Sequence, residues 1–208
     1  MTPLVIATRN KGKLEEIRKA LASCPIKIHS LTEFQEVGEI VEDSQTFEGN
    51  ALKKARVACQ VTGSLALGDD SGLVVPTLGG EPGVLSARYA RLDSSSLARR
   101  AGPAATADDN NKKLLDAMKR IPVEKRGAIY VCVLALVLPT GKERLIRATC
   151  EGVIAEEPKG DGGFGYDPIF FLPILQKTMA QISLEEKNRL SHRGRALEEL
   201  KKIIPYFL

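Results

Sequence analysis

Two adjacent carboxylates, Asp69 and Asp70, follow Gly68 and precede Ser71-Gly72 at the end of a short apolar run. Hard divalent cations take oxygen ligands, and Mg2+ is usually held by one or two carboxylates together with phosphate oxygens. The pair can therefore hold such a cation or orient a water. Asp, Ser and Gly are also ordinary turn residues, and alone the segment reads equally as a turn between two strand pieces. A second acidic stretch, Val41-Glu42-Asp43-Ser44, stands just ahead of a helical pattern. There Glu42 or Asp43 can cap the helix, the commoner role, or supply a further cation oxygen.

Anion-binding chemistry has a candidate near the N-terminus, in Thr8-Arg9-Asn10-Lys11-Gly12-Lys13. A helix N-terminus offers unpaired N–H groups and a positive dipole end, which suits phosphate. Asn10 adds an amide donor and Lys13 a full charge. The G-x-x-x-x-G-K-[ST] spacing of a P-loop is absent, and polar turns before helices are common. Further along, Gly162-Gly163-Phe164-Gly165-Tyr166-Asp167-Pro168 joins glycines that allow close backbone approach to an aromatic face on which a base can stack. Asp167 can accept hydrogen bonds from a ligand. The plainer reading is a loop with core aromatics. Lys187, Ser191, His192 and Arg193 make a donor-rich cluster suited to phosphates or carbonyl oxygens, although a lone histidine is more often structural. Arg88, in a small apolar setting, is more simply a paired structural arginine.

The elements that must position these groups follow from hydrophobic spacing. Residues 4–7 predict a buried strand, 14–22 a helix stopped by Cys24-Pro25, and 26–29 a second strand. Residues 36–45 read as an acidic loop and 46–61 as a helix with Ala51, Leu52, Ala55, Ala58 and Cys59 on one face. Strand pieces are expected at 65–68 and 73–75, flanking the Asp-Asp-Ser-Gly turn. Residues 94–106 have no period and predict a mobile loop, and 107–121 return to helical spacing. The strongest strand is 128–138, joined through Pro139-Thr140-Gly141 to an antiparallel neighbour at 144–155. Ser183 with Glu186 three residues later is a capping box that opens a last helix running to about residue 204. This order predicts an α/β fold with a mixed sheet.

The chain has 208 residues, a net charge of +4, no tryptophan and 5% aromatics. That is ordinary globular composition. It lacks the clustered basic stripe of a nucleic-acid binder, so no stable nucleic-acid partner is expected. The four cysteines form no C-x-x-C pair, which removes the usual support for zinc or thioredoxin-like chemistry. Cys132 reads as core. No basic-then-apolar leader and no run of about 20 apolar residues is visible. With unpaired cysteines, this points to the cytoplasm and to no membrane partner.

Taken in order, IATRNKGKLEEI, TFEGNALKKA, GDDSGLVV, PGVLSARYA, GGFGYDPIFF and EKNRLSHRGRAL resemble the inosine triphosphate pyrophosphatase family, bacterial enzymes acting on non-canonical purine nucleoside triphosphates. The resemblance runs from residue 4 to about 200, and GGFGYDPIF and SHRG are its most specific parts. It implies an elongated α/β fold, with a mixed β-sheet, flanking helices and two lobes around a central cleft, forming one functional domain over 1–208. It implies a homodimer, a Mg2+ requirement, and cleavage of ITP, dITP or XTP to monophosphate and pyrophosphate. By position, Thr8, Arg9, Asn10, Lys11, Gly12 and Lys13 would hold the triphosphate. Asp70 would be proton acceptor and metal ligand, and Glu42 the second metal carboxylate. Ser71, Phe164, Gly165, Tyr166, Asp167, Lys187, His192 and Arg193 match nucleotide-binding positions. Asp69 can instead be the group that orients Asp70. Arg9, Gly49 and Gly68 depart from the family's usual residues.

Base choice has a physical rationale within this reading. Hypoxanthine and xanthine present a 6-oxo acceptor where adenine presents an amino donor, so a pocket of donors such as Lys187 and Arg193 would leave donors unpaired with ATP. Two other readings stay open on the residues: a Maf-type pyrophosphatase of modified pyrimidine or methylated nucleotides, and a sensor that binds without turnover. The Ser-His-Arg segment counts against the first, and the Asp pair with Lys13 against the second.

Overall fold

The structure, a computed structural model, describes residues 1–91 and 105–207. Twelve main elements carry the argument: β1 (Thr2–Ile6), α1 (Lys11–Ala20), β2 (Ile26–Ser30), α2 (Phe47–Thr62), β3 (Leu65–Val74), α3 (Ala107–Met118), β4 (Gly127–Val137), β5 (Glu143–Ile154), β6 (Phe170–Leu172), β7 (Lys177–Thr178), α4 (Leu184–Leu190) and α5 (His192–Ile203). The strands form one sheet in the order β2-β1-β3-β4-β5-β6-β7. β1 runs parallel to β2 and to β3, while β6 is antiparallel to β5 and β7. The sheet is therefore mixed, and α1 and α2 are the crossovers that parallel pairing demands. The expected loop over 94–106 lies outside the described residues except for 105 and 106.

The chain divides into two compact units. The first comprises Met1–Asp70, Cys132–Ala148 and His192–Leu208. Its core joins Leu4 and Ile6 of β1, Ile17 and Leu21, Leu65 and Leu67 of β3, Leu134 and Leu136 of β4, and Leu197 and Leu200 of α5. β1 is a continuous apolar run, with Leu4, Val5 and Ile6 fully buried, as expected of a parallel strand covered on both faces. α2 starts at the Thr46 cap, whose hydroxyl accepts from the Gly49 N–H, and ends at Gly63 in the left-handed region. Its alanine face, Ala51, Ala55 and Ala58, is fully buried. A Cβ at Gly68 would collide with the carbonyl oxygen of Ala51. The small residues on both elements let α2 ride directly against β3.

The second unit comprises Ser71–Val131 and Thr149–Ser191. Its core gathers Leu73 and Val75, Leu114 and Met118 of α3, Ala128 and Tyr130, Ile154, Ile169, Phe170 and Met179. Arg126 is buried and donates to the carbonyls of Met118, Ile154 and Ala155, tying the end of α3 to the end of β5.

Two expectations are corrected. Asp-Asp-Ser-Gly is no turn: β3 is continuous from Leu65 to Val74. The strand lies inside the sheet between β1 and β4, and cationic partners, the buried Lys54 and Arg193 and the half-buried Lys13, compensate its two carboxylates. The last helix is also not one helix. It opens at the Ser183 capping box as expected, but Ser191 is extended (φ −71°, ψ 163°), and α5 begins anew at His192. The break falls where the chain passes from the second unit to the first.

Candidate functional site

In β3, alternate residues point to opposite faces, and the two carboxylates consequently meet different partners. Asp69 receives Lys13 Nζ on Oδ1 at 2.6 Å and Arg193 Nε on Oδ2 at 2.7 Å, with the Cys132 thiol 3.8 Å from Oδ2. Arg193, itself buried, also gives Nη1 to Glu16 of α1 at 2.5 Å. Burial alone would raise the Asp69 pKa, but the guanidinium of Arg193 and the ammonium of Lys13 override it and hold the carboxyl well below its usual range. Asp69 is an anion with both oxygens engaged.

Asp70 faces α2. Lys54 Nζ donates to its Oδ1 at 2.8 Å and Asn50 Nδ2 to its Oδ2 at 3.2 Å. Lys54 also reaches Glu42 Oε1 at 3.0 Å, so one ammonium bridges two carboxylates. Burial pushes the Asp70 carboxyl up and Glu42 adds to it, against the pull of Lys54 and Lys13. Burial lowers the Lys54 pKa, yet Asp70 and Glu42 more than restore it, and the group stays an ammonium. The two neighbouring acids are thus pushed in opposite directions, which is how one site separates a fixed anion from a proton acceptor.

Asn50 and Lys54 were missing from the residues that sequence reasoning singled out. Their i, i+4 spacing puts them on one side of α2, beside the alanine stripe. That spacing was the available signal. Glu16, buried next to Ile17 on α1, was missed too.

The N-terminal turn leads directly into α1. Asn10 caps α1, its Oδ1 accepting from the Lys13 N–H at 3.0 Å. The Lys11 and Gly12 N–H groups have no partner among the described residues, and both stand at the positive end of the helix. Arg9 is exposed and donates through Nη2 to the carbonyls of Val37 at 2.7 Å and Gly38 at 3.2 Å. A side chain at Gly49 would meet the hydroxyl of Ser44, so glycine lets the 38–45 segment pack onto the start of α2.

In the second unit, Asp167 is the centre. Its Oδ2 accepts from Lys187 Nζ at 2.5 Å and from the Phe164 N–H at 2.7 Å, and Tyr130 donates to Oδ1 at 3.2 Å. Lys187 also lies 4.5 Å from the centre of the Phe164 ring, a cation–π distance. Gly163 has φ 71°, and any side chain there would strike the Asp167 carboxylate. Asn111 of α3 donates to the Gly165 carbonyl at 3.1 Å. Tyr166 is buried, and its hydroxyl donates to the Ser86 carbonyl at 2.8 Å. Ser71 begins this unit and is half-buried, as is Arg88, while His192 is buried in the first unit. Asp69, Asp70, Lys13 and Arg193 thus share one unit, and Phe164, Asp167 and Lys187 share the other.

A family model described as the Ham1 family matches residues 4–203. The chain belongs to the Ham1 family. Among its relatives is a dITP/XTP pyrophosphatase of Geobacter sulfurreducens, 50% identical over 97% of this chain and 96% of that protein. Another, also called dITP/XTP pyrophosphatase, from Syntrophobacter fumaroxidans, is 50% identical over 96% of this chain and 80% of its own length. The solved structure of a HAM1 protein from Coxiella burnetii is 40% identical, with a TM-score of 0.85 over 99% of this chain and 100% of that one. The mixed sheet with flanking helices is therefore the family's fold. Among the described residues, no helix is long and apolar enough to cross a membrane, and no cluster of three or more His, Cys, Asp or Glu could hold a metal.

Proposed function

We propose that this protein hydrolyses deaminated purine nucleoside triphosphates (ITP, dITP and XTP) to the monophosphate and pyrophosphate, clearing them from the nucleotide pool. The observation that carries the reading is the division of labour between Asp69 and Asp70, in a chain half identical to relatives named dITP/XTP pyrophosphatases. The protein acts in the cytoplasm as a homodimer.

Thr8, Asn10, Lys11, Gly12 and Lys13 take the triphosphate. Asn10 spends its carbonyl oxygen on the cap, which leaves its Nδ2 for a phosphate oxygen, and two N–H groups at the helix start add their dipoles. Lys13, fixed by Asp69, places its ammonium where charge builds on the departing pyrophosphate. Asp70 takes a proton from the attacking water, which adds to the α-phosphorus. Its raised pKa suits that task better than the locked anion at Asp69. Arg193 acts on Asp69, and through it on Lys13.

Glu42 and Asp70 would hold Mg2+. Two carboxylates are too few for a protein cage but fit a cation that takes its remaining oxygens from phosphate and water. The ammonium of Lys54, bridging the same two carboxylates, marks a place where they already accept positive charge. When bound, the ion supplies charge neutralisation on the phosphates.

Phe164 stacks on the base, with the Lys187 ammonium beside its ring. Gly165, Tyr166 and Asp167 set the shape of that turn. Lys187 and His192 lend polar contacts to the nucleotide, and Ser71 follows the acidic pair directly. The test is product analysis with purified protein, Mg2+ and ITP, XTP, dITP, GTP and ATP. Monophosphate and pyrophosphate from the first three, with GTP and ATP nearly untouched, are expected. Release of orthophosphate and a diphosphate would place the attack at the γ-phosphorus and overturn the mechanism.

A further inference from the structure

Residues 38–44 of the first unit have no regular secondary structure, yet they carry Glu42. Side chains from α2 and from the turn before α1 hold their course. From α2, Lys54 takes Glu42, Lys53 takes Asp43 at 2.8 Å, and Asn50 Oδ1 accepts from the Ser44 N–H at 3.0 Å. At the other end of the segment Val37 is fully buried. The bond that reaches it from the phosphate-binding turn is Arg9 Nη2 to the carbonyls of Val37 and Gly38. Twenty-eight residues separate Arg9 from Val37, so this is a tertiary tie.

Arg9 uses only Nη2 in this tie. Its Nε and Nη1 donors have no partner among the described residues. A guanidinium is a planar fork with five donors, and it can hold backbone carbonyls on one side while offering N–H groups to an anion on the other. A lysine ammonium cannot span two neighbouring carbonyls and a phosphate in the same fixed geometry.

We propose that Arg9 is a positioning residue that couples the triphosphate turn to the cation site. Through Nη2 it fixes the segment that presents Glu42, and through its remaining donors it meets the phosphates. The phosphate half rests on the function proposed above; the tie to the loop does not. Arriving triphosphate and bound cation then support each other, because both need the same placement of the 38–44 segment.

The test compares wild type with Arg9→Ala and Arg9→Lys, using Mn2+ as the cation probe. Backbone hydrogen exchange over 37–45 and Mn2+ binding to the nucleotide-free protein are measured beside KM for ITP. Because Arg9 is exposed, both variants should keep the wild-type Tm. For Arg9→Ala we expect faster exchange in the segment and Mn2+ affinity lower by about three- to tenfold, the scale of one lost hydrogen bond. Arg9→Lys should recover part of the KM but neither the exchange protection nor the Mn2+ affinity. Unchanged exchange and Mn2+ binding in Arg9→Ala, whatever happens to KM, would reduce Arg9 to a phosphate contact and overturn the proposal. If wild type turned over no triphosphate, the functional reading would fall, and exchange and Mn2+ binding would still decide the tie.

Discussion

Asp69 and Asp70 are adjacent in sequence and opposite in environment, and the difference is testable residue by residue. Asp70→Asn keeps the shape and removes the proposed proton acceptor. Turnover of ITP should fall about 100-fold or more with Tm nearly kept; near-normal turnover in the folded variant would exclude the role. Asp69→Asn should act chiefly through stability, and on turnover only by loosening Lys13. The Asp69 carboxyl sits well below its unfolded pKa of about 4. Its contribution is therefore complete above that pKa and is lost as pH falls towards the low folded value. In urea unfolding, the gap between wild type and Asp69→Asn should be widest near neutrality and narrow below about pH 4. A gap independent of pH would mean that ionisation of Asp69 carries none of it. Thr8, Asn10, Lys13 and Asp70 stood out as candidates from residue type alone. Lys54 did not, because a lysine on a helix is ordinarily solvated, and only its placement between Glu42 and Asp70 makes it a candidate.

Element by element, most helices were legible, while the unbroken β3, the short β6 and β7 and the break between α4 and α5 were not. Ser183 announced its helix because capping chemistry is local, whereas the cap of α2 is Thr46 and not Glu42 or Asp43 as expected. The Asp-Asp-Ser-Gly segment looked like a turn because Asp, Ser and Gly are ordinary turn residues, whereas two buried carboxylates in a strand are unfavourable unless paired. The partners that pair them lie far along the chain, Arg193 being 124 residues from Asp69. The break at Ser191 carried only the weak signal of a serine able to start a new helix, and it coincides with the change of unit. The contact between α2 and β3 gives this scale its prediction. Gly68→Ala would drive a methyl into the Ala51 carbonyl, so helix and strand must separate. Loss of about 1–3 kcal/mol is expected in denaturant unfolding, as for other overpacked sites. Activity should fall too, because Asn50 and Lys54 move away from Asp70. Unchanged stability would show that the helix yields freely there.

At the scale of the whole molecule, donors that look like one cluster in the sequence belong to different cores. Lys187 and Arg193 are six residues apart in numbering, yet Lys187 answers to Asp167 in one unit and Arg193 to Asp69 and Glu16 in the other. Under the proposed function, the phosphate contacts and the base contacts named above belong to separately packed cores. Variants should then sort by unit. Lys13→Ala, in the first unit, should lower kcat/KM for ITP and ATP by similar factors, because both carry the same triphosphate. Lys187→Ala, in the second, should narrow the preference for ITP over ATP about tenfold or more, since a missing donor no longer penalises the 6-amino group. Steady-state kinetics on both nucleotides for both variants, with Tm as the folding control, decides it. An equal loss on ITP and ATP in Lys187→Ala would make that lysine a phosphate contact and leave base choice to other groups around Phe164.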